Sequence, residues 1–201
     1  MITLCMDTSQ AFLVLALMND DKVIGSVQKD CWKRQSEELF PCLLHLMNEH
    51  NVKPDEIDQV VITEGPGSYT GVRIAMTVAK VFCALKEKAL FTLGSLQLIA
   101  GNCAHCHVLM DARGHRAYHG VYENGRLIGE LQALDVAELQ AQIQADETVL
   151  GDGHLIGRED SWPDLANHFS VLKNQWEPVE NVHLLVPEYL KSSESYLVKR
   201  K

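Results

Sequence analysis

No apolar run in the sequence approaches the roughly 18 residues that a membrane-spanning helix needs. A basic leader is also missing, because the apolar start ITLCM is followed at once by Asp7. These two absences predict a cytoplasmic protein with no secretory signal and no membrane partner. The six cysteines, most of which lie in apolar stretches, are then expected to be reduced thiols that pack as small hydrophobic residues.

An excess of positive charge is missing as well. The chain carries 18 Lys and Arg against 27 Asp and Glu, which gives a formal net charge of -9. A protein with this balance is poorly suited to grip a phosphate backbone directly. If it acts on RNA, we expect another subunit to hold the RNA and this chain to contact tRNA only indirectly. The basic end, Lys199 to Lys201, is expected to be solvated.

What is present is an ordinary globular composition, with 46% hydrophobic and 22% charged residues among 201. Three strands are predicted first, at 2–6, 11–18 and 22–30. Helices and strands then alternate, as helix 36–50 with Ser36 as its N-cap, strand 57–63, a helix from Gly71 to about Lys88, strand 89–94 and helix 95–102. Segment 11–18 is so uniformly apolar that both of its faces should be buried. This order is typical of an actin-like ATPase (ribonuclease H-like) α/β fold.

The second half of the chain is more polar and less regular. Strands are predicted at 107–112, 115–123, 126–134 and 147–151, with a helix from the cap Asp135 to about 145. The change near residue 102 predicts two lobes, an N-terminal one at 1–102 and a smaller C-terminal one at 103–201 that ends in a short basic tail.

A glycine-rich loop, Gly65-Pro66-Gly67-Ser68-Tyr69-Thr70-Gly71, lies between a predicted strand and a helix. Backbone donors at such a place can hold an anion. However, no Lys-Ser/Thr follows the last glycine, and the glycine spacing does not match the dinucleotide fingerprint. Ser68 is not a nucleophile elbow, because Pro66 and Thr70 stand where glycines should flank it. Anion binding and a tight turn that lets a helix pack close to a sheet both stay open at this point.

The segment EGPGSYTGVRIAMTVAK, residues 64–80, resembles the signature of the TsaB (YeaZ) family, with Tyr69 in place of the usual Phe. Further matches span nearly the whole chain in the family's order: Asp7-Thr8-Ser9, Asp111-Ala112-Arg113 with Tyr118, Gly151-Asp152-Gly153, and Pro187, Tyr189 and Leu190, with Lys191 where the family usually has Arg. The central signature is the specific part of this resemblance.

The resemblance implies an actin-like fold with a reduced second lobe and without catalytic residues of its own. It also implies two partners: TsaD, a related subunit that transfers a threonylcarbamoyl group to the anticodon-adjacent adenosine of tRNAs reading codons that begin with A, and TsaE, a small ATPase. ATP or ADP and a metal are then expected on those subunits, and no cofactor on this chain alone.

The residues themselves agree with an absence of chemistry. The corner Asp7-Thr8-Ser9-Gln10-Ala11 has no glycine that would let the backbone approach a phosphate, and Asp7 is expected to bond its own turn instead. His115 and His119 have the spacing of a helical metal pair, but in a strand they would stand about 13 Å apart and could not share an ion.

The segment Cys103-Ala104-His105-Cys106-His107 is the best remaining metal candidate in the sequence. Four ligand-type side chains in five residues can bind zinc, but a stable site normally has a second, distant ligand pair. No such pair is evident in the sequence, so we expect no metal at this chain.

Two helices carry more apolar side chains than one sheet can cover. Between Val72 and Leu85 the polar positions form one narrow stripe, and in helix 36–50 two apolar stripes lie side by side. We therefore expect a heterodimer surface for a TsaD-type subunit, used for a homodimer when that subunit is absent. The expected partner-binding residues are Leu39, Phe40, Leu43, Leu44, Met47, Arg73, Met76, Thr77, Lys80 and Val81.

Three alternatives stay open from the sequence alone. The chain could be a stand-alone actin-like ATPase or, less well supported, a glycoprotease-like peptidase. A binding module outside RNA modification is the third.

Overall fold

The computed structural model describes residues 1–190, so Lys191 and the basic tail at 199–201 lie outside it. Within the described range the chain forms the strands β1 (Ile2–Asp7), β2 (Phe12–Asn19), β3 (Lys22–Asp30), β4 (Ile57–Gly65), β5 (Ala89–Gly94), β6 (Cys106–Asp111), β7 (Arg116–Glu123), β8 (Arg126–Asp135), β9 (Val149–Gly151) and β10 (Glu177–Pro178). It also forms the helices α1 (Gln35–Glu49), α2 (Tyr69–Lys86), α3 (Ser95–Ala100), α4 (Val136–Gln142) and α5 (Leu165–Val171).

The strands form two sheets. The first has the order β10-β5-β4-β1-β2-β3, with β1, β2 and β3 antiparallel and with β1, β4 and β5 parallel. The second has the order β8-β7-β6-β9. An antiparallel meander continued by parallel strands confirms the predicted actin-like, ribonuclease H-like α/β fold.

The border between the two lobes stays a prediction at residue 102. The second sheet begins at β6, after that point. The chain then returns, because β10 pairs antiparallel with β5 at the edge of the first sheet. Residues on the C-terminal side of 102 therefore complete the first sheet as well as building the second.

Strand β2 is buried on both faces, as its apolar run predicts. Leu13, Leu15 and Leu17 pack with α1 and α2 on one side of the sheet. Val14 and Ala16 pack on the other side with α3, α5 and the second sheet. Because successive side chains of β2 point to opposite faces of the sheet, this one strand contributes to both main cores of the molecule.

Helix α1 begins one residue earlier than expected. Its N-cap is Arg34, without a side-chain cap, so the prediction of Ser36 as the cap is wrong. The start is determined by one tertiary contact and one local turn: the Gln35 side-chain amide donates to the carbonyl of Gln10 at 2.7 Å, and the Arg34 N–H donates to the carbonyl of Cys31 at 2.7 Å.

All six cysteines are free thiols, as expected. Burial raises the pKa of Cys83 to about 11 and that of Cys106 to about 12, so both stay protonated. Among residues 1–190 no helix has both the length and the apolar character needed to cross a bilayer.

Candidate functional site

An apolar groove of about 480 Å³ runs between α1 and α2 on one face of the first sheet. Helix α1 packs over β2 and β3, whereas α2 packs over β4 and β5. Strand β1 lies between β2 and β4 in the sheet, so the gap between the helices opens above it. Leu4 and Met6 of β1 consequently form the floor of the groove.

The rim of the groove consists of large apolar side chains in water. Phe40 and Leu44 on α1 are 55% and 57% exposed, and Val81 and Leu85 on α2 are 54% and 76% exposed. Four such side chains around one apolar channel form a contiguous patch, which usually marks an interface. The expectation that α1 and α2 together leave apolar surface in water is confirmed.

The expected partner-binding residues divide into three groups. Phe40, Leu44, Thr77 and Val81 line the groove and are exposed, while Leu43 and Met47 line it as nearly buried side chains. Leu39 and Met76 are 1% and 3% exposed and belong to the core beneath. These two are corrected from surface to core residues, because they point at the sheet rather than at the gap between the helices.

The third group, Arg73 and Lys80, holds the C-terminal segment at 179–190. The Lys80 ammonium donates to the carbonyls of Leu185 at 2.6 Å and His183 at 3.2 Å. The Arg73 guanidinium lies 3.6 Å from the ring centre of Tyr69, which stacks on Tyr189 at 5.6 Å. Arg73 and Lys80, which were expected to meet a partner, instead contact the chain's own final described residues.

Replacing Lys80 by Met should loosen this segment. Two carbonyls lose a charged donor, which costs about 1 to 3 kcal/mol locally while the core of α2 is untouched. Hydrogen exchange over 182–190 should become faster, with little change in global unfolding. Lys86→Met is the matched control, because its ion pair with Asp55 is exposed and contributes little. An unchanged exchange rate in Lys80→Met would contradict the conclusion that Lys80 holds the segment at 179–190.

The glycine-rich loop closes on the first corner of the chain. Ser68 N–H donates to the Ser9 carbonyl at 2.7 Å, and the Thr8 hydroxyl donates to the Gly71 carbonyl at 2.6 Å. A Cβ on Gly67 would lie 2.5 Å from the Ser9 carbonyl oxygen. A Cβ on Gly71 would overlap the Thr8 carbonyl oxygen. The glycines therefore serve close backbone packing, which supports the tight-turn interpretation.

Ser68 is also the N-cap of α2, since its side chain accepts a hydrogen bond from the Gly71 N–H at 3.2 Å. The helix thus begins at Tyr69, inside the loop, rather than at Gly71 as predicted. Gly65, with φ of 120°, packs against the backbone of Glu188. Pro66 is buried, while Thr70 is exposed.

Asp7 has its oxygens committed to neighbouring groups. It accepts hydrogen bonds from the Ser9 N–H at 2.8 Å, the Thr63 hydroxyl at 2.5 Å and the Gln10 side-chain amide at 3.3 Å. The residue is 1% exposed. The expected bond of a turn carboxylate to its own backbone is confirmed.

A cleft of about 480 Å³ separates the two sheets at the corner formed by Ser9 and Gln10. Across it, the Arg113 guanidinium lies 4.7 Å from the ring centre of Trp32. Burial raises the pKa of the Asp152 carboxyl, which accepts the Asp111 N–H at 2.7 Å. Trp32 was not predicted as a cleft residue, because nothing local in the sequence indicates which segments meet across two sheets.

The histidine pair does not form a shared site. His115 has a φ of 59° and precedes β7, so its assignment to the strand is wrong, while His119 lies within the strand. His119 Nε2 is 2.9 Å from Nδ1 of His107 instead. The conclusion that the two side chains do not ligate one ion agrees with this placement.

The sequence is similar to that of proteins involved in threonylcarbamoyladenosine synthesis. The family model described as TsaD, tRNA N6-adenosine threonylcarbamoyltransferase, matches residues 20–149. A Bacillus subtilis relative named tRNA threonylcarbamoyladenosine biosynthesis protein TsaB is 29% identical over 97% of this chain and 96% of its own length.

Solved structures show the same fold. YeaZ from Pseudomonas aeruginosa superposes with a TM-score of 0.75 at 22% identity, covering 94% of this chain and 99% of that one. A further Pseudomonas aeruginosa structure, described by its similarity to peptidase YeaZ, gives a TM-score of 0.79 at 21% identity over the same shares. By the family model, the relative and the signature at 64–80 together, this chain belongs to the TsaB (YeaZ) family.

Proposed function

We propose that this chain is a non-catalytic partner subunit in the synthesis of threonylcarbamoyladenosine on tRNA, and that its groove binds a TsaD-type subunit. A role in this synthesis is supported by the name that its relatives carry. The observation that carries the partner role is the apolar groove between α1 and α2, with Phe40, Leu44, Val81 and Leu85 exposed around it.

A related chain is the partner that suits this groove best. The transferase family model matches residues 20–149, which includes both helices, so a TsaD-type chain is expected to present a comparable helical pair. Two such pairs can pack face to face about a two-fold or pseudo-two-fold axis. A second copy of this chain can cover the same face when the transferase is absent, giving a homodimer.

The absence of catalysis is supported by the first corner of the chain. The Asp7 carboxylate is occupied by the Thr63 hydroxyl, the Ser9 N–H and the Gln10 amide. The backbone N–H groups of Ser68 and Gly71 are likewise used within the protein. We infer that the nucleotide and the catalytic metal reside on the TsaD- and TsaE-type subunits, and that tRNA meets this acidic chain only indirectly.

Reconstitution from purified subunits tests the proposal. With TsaD- and TsaE-type proteins, ATP, tRNA and a threonylcarbamoyl donor, modified adenosine should form only when this chain is added. This chain alone should give none. Threonylcarbamoyl transfer by the lone chain would contradict the non-catalytic role, and full transfer without it would contradict the need for a partner.

A stand-alone ATPase is the second candidate, and the cleft is the observation that favours it. Within residues 1–190, Ser9 Oγ and Gln10 Oε1 are buried at this cleft without a hydrogen-bond partner. Buried polar atoms of this kind usually bond something. ATP turnover by the purified chain above the level of an Asp7→Asn control would favour this reading. A peptidase is supported less, because Ser68 is committed to capping α2.

A further inference from the structure

Three side chains remote from the groove and the cleft converge at one end of the second sheet. His107 stands at the start of β6 and His105 just before it, and Glu147 stands two residues before β9, the parallel neighbour of β6. One ligand atom from each lies within 4.8 Å of the other two. His107 Nε2 and Glu147 Oε1 are already 3.5 Å apart.

Strand alternation explains why Cys106 does not take part. Cys106 and His107 are neighbours on β6 and project to opposite sides, and Cys106 is fully buried, while His105 lies just before the strand. The parallel pairing of β6 with β9 places His107 opposite Val149, two residues from Glu147. The distant ligand that the sequence alone does not reveal is thus supplied from about 40 residues away along the chain.

Each of the three side chains also has a second partner within the protein. His107 Nδ1 is 2.9 Å from His119 Nε2, and His105 Nδ1 is 3.1 Å from Glu123 Oε1. Glu147 Oε2 accepts the Gln144 N–H at 2.6 Å. Outer partners of this kind orient metal ligands, because they fix the ring tautomer and leave the second nitrogen for the ion.

We propose that His105, His107 and Glu147 form a binding site for one Zn²⁺ ion, with a water molecule as the fourth ligand. Imidazole with carboxylate is a donor set that zinc accepts, and hard cations such as Mg²⁺ prefer oxygen alone. Bonds of about 2.0 to 2.2 Å in a tetrahedron require ligand atoms about 3.3 Å apart. His107 and Glu147 nearly meet this, and the half-exposed His105 side chain has room to close the remaining distance.

This site departs from the expectation that the chain binds no metal, and it is independent of the proposed partner role. Its effect would be structural. The ion would join the first residues of β6 to the loop that enters β9, at an end of the sheet where His105 and Glu123 are otherwise solvent-exposed. We therefore expect zinc to stabilise the second sheet without changing the groove.

Zinc titration of the metal-free full-length protein against a chromophoric chelator tests the site. One Zn²⁺ per chain is expected. His105→Gln and Glu147→Gln, which each remove a ligand, should weaken binding more than about 100-fold, and Glu123→Gln, which changes only an outer partner, by about 10- to 100-fold. His154→Gln is the matched control, because it removes an imidazole from the separate group of Asp152, His154 and Asp160 and should leave the affinity unchanged.

Cobalt provides an independent readout of the ligand set. Co²⁺ bound at two imidazoles and a carboxylate should show no thiolate-to-cobalt charge-transfer band. Observation of such a band would overturn the proposal and indicate Cys103 as a ligand instead. Failure to bind one zinc ion per chain would also overturn it, as would parent affinity in His105→Gln and Glu147→Gln or a loss confined to His154→Gln. Circular dichroism without zinc should show that every variant is folded.

Discussion

Replacing Val81 by Arg is expected to abolish tight association with a TsaD-type subunit while leaving this chain folded. The side chain is 54% exposed on the rim of the groove, so a longer charged residue can reach water in the free protein. In the complex the guanidinium would be buried without a partner, which is strongly unfavourable. We expect a loss of at least about 2 kcal/mol, or about thirtyfold in Kd, measured by isothermal titration calorimetry.

Ile128→Arg provides the matched control for Val81→Arg. Ile128 is a similarly exposed β-branched residue at 48%, but it lies on β8 in the second sheet, away from the groove. Its replacement should leave the Kd unchanged. The proposed homodimer of the lone chain should be lost in the Val81 variant and kept in the control, as measured by sedimentation. Equal partner affinity in both variants would remove the groove from the proposed interface.

Replacing Gly71 by Ala is expected to destabilise the protein strongly, although alanine is the better helix former. The new Cβ would overlap the Thr8 carbonyl oxygen and press on the Ser68 side chain at 3.0 Å. Either α2 or the first corner must then shift, which costs about 2 to 3 kcal/mol despite the better helix propensity of alanine. The thermal unfolding temperature should fall by about 4 to 12 °C.

Gly94→Ala separates this steric effect from a general intolerance of the fold to alanine. Gly94 is the residue before α3, and its nearest neighbour for a Cβ is 3.5 Å away on the Gln97 side chain. Its unfolding temperature should stay within about 2 °C of the parent, since ordinary van der Waals contact carries no penalty. A Gly71 variant as stable as the Gly94 variant would show that the loop does not depend on close packing.

Local patterns were sufficient to predict most of the first sheet. The uniform apolar run at 11–18 indicated a strand buried on both faces, and Leu13 and Val14 do pack into different cores. The start of α1 was missed because a long-range bond from Gln35 to Gln10 determines it, rather than the local preference of Ser36 for caps.

The surface was harder to predict, because it depends on which elements become neighbours. Helical periodicity indicated an excess of apolar side chains but could not separate Leu39 and Met76, which face the sheet, from Phe40 and Val81, which face the groove. The sheet order, with β1 between β2 and β4, decides that. Periodicity likewise gave no sign that Lys80 bonds to carbonyls about 100 residues later.

The stacking of Arg113 on Trp32 has a spectroscopic consequence. The indole belongs to the loop after β3 and the guanidinium to the loop after β6, so their 4.7 Å contact spans the two sheets. Trp162 lines the same cleft, whereas Trp176 is 9% exposed within a core. The difference in emission between the parent and Trp32→Phe isolates the Trp32 signal from those of Trp162 and Trp176, and this signal should change when the cleft opens and the Arg113 contact is lost.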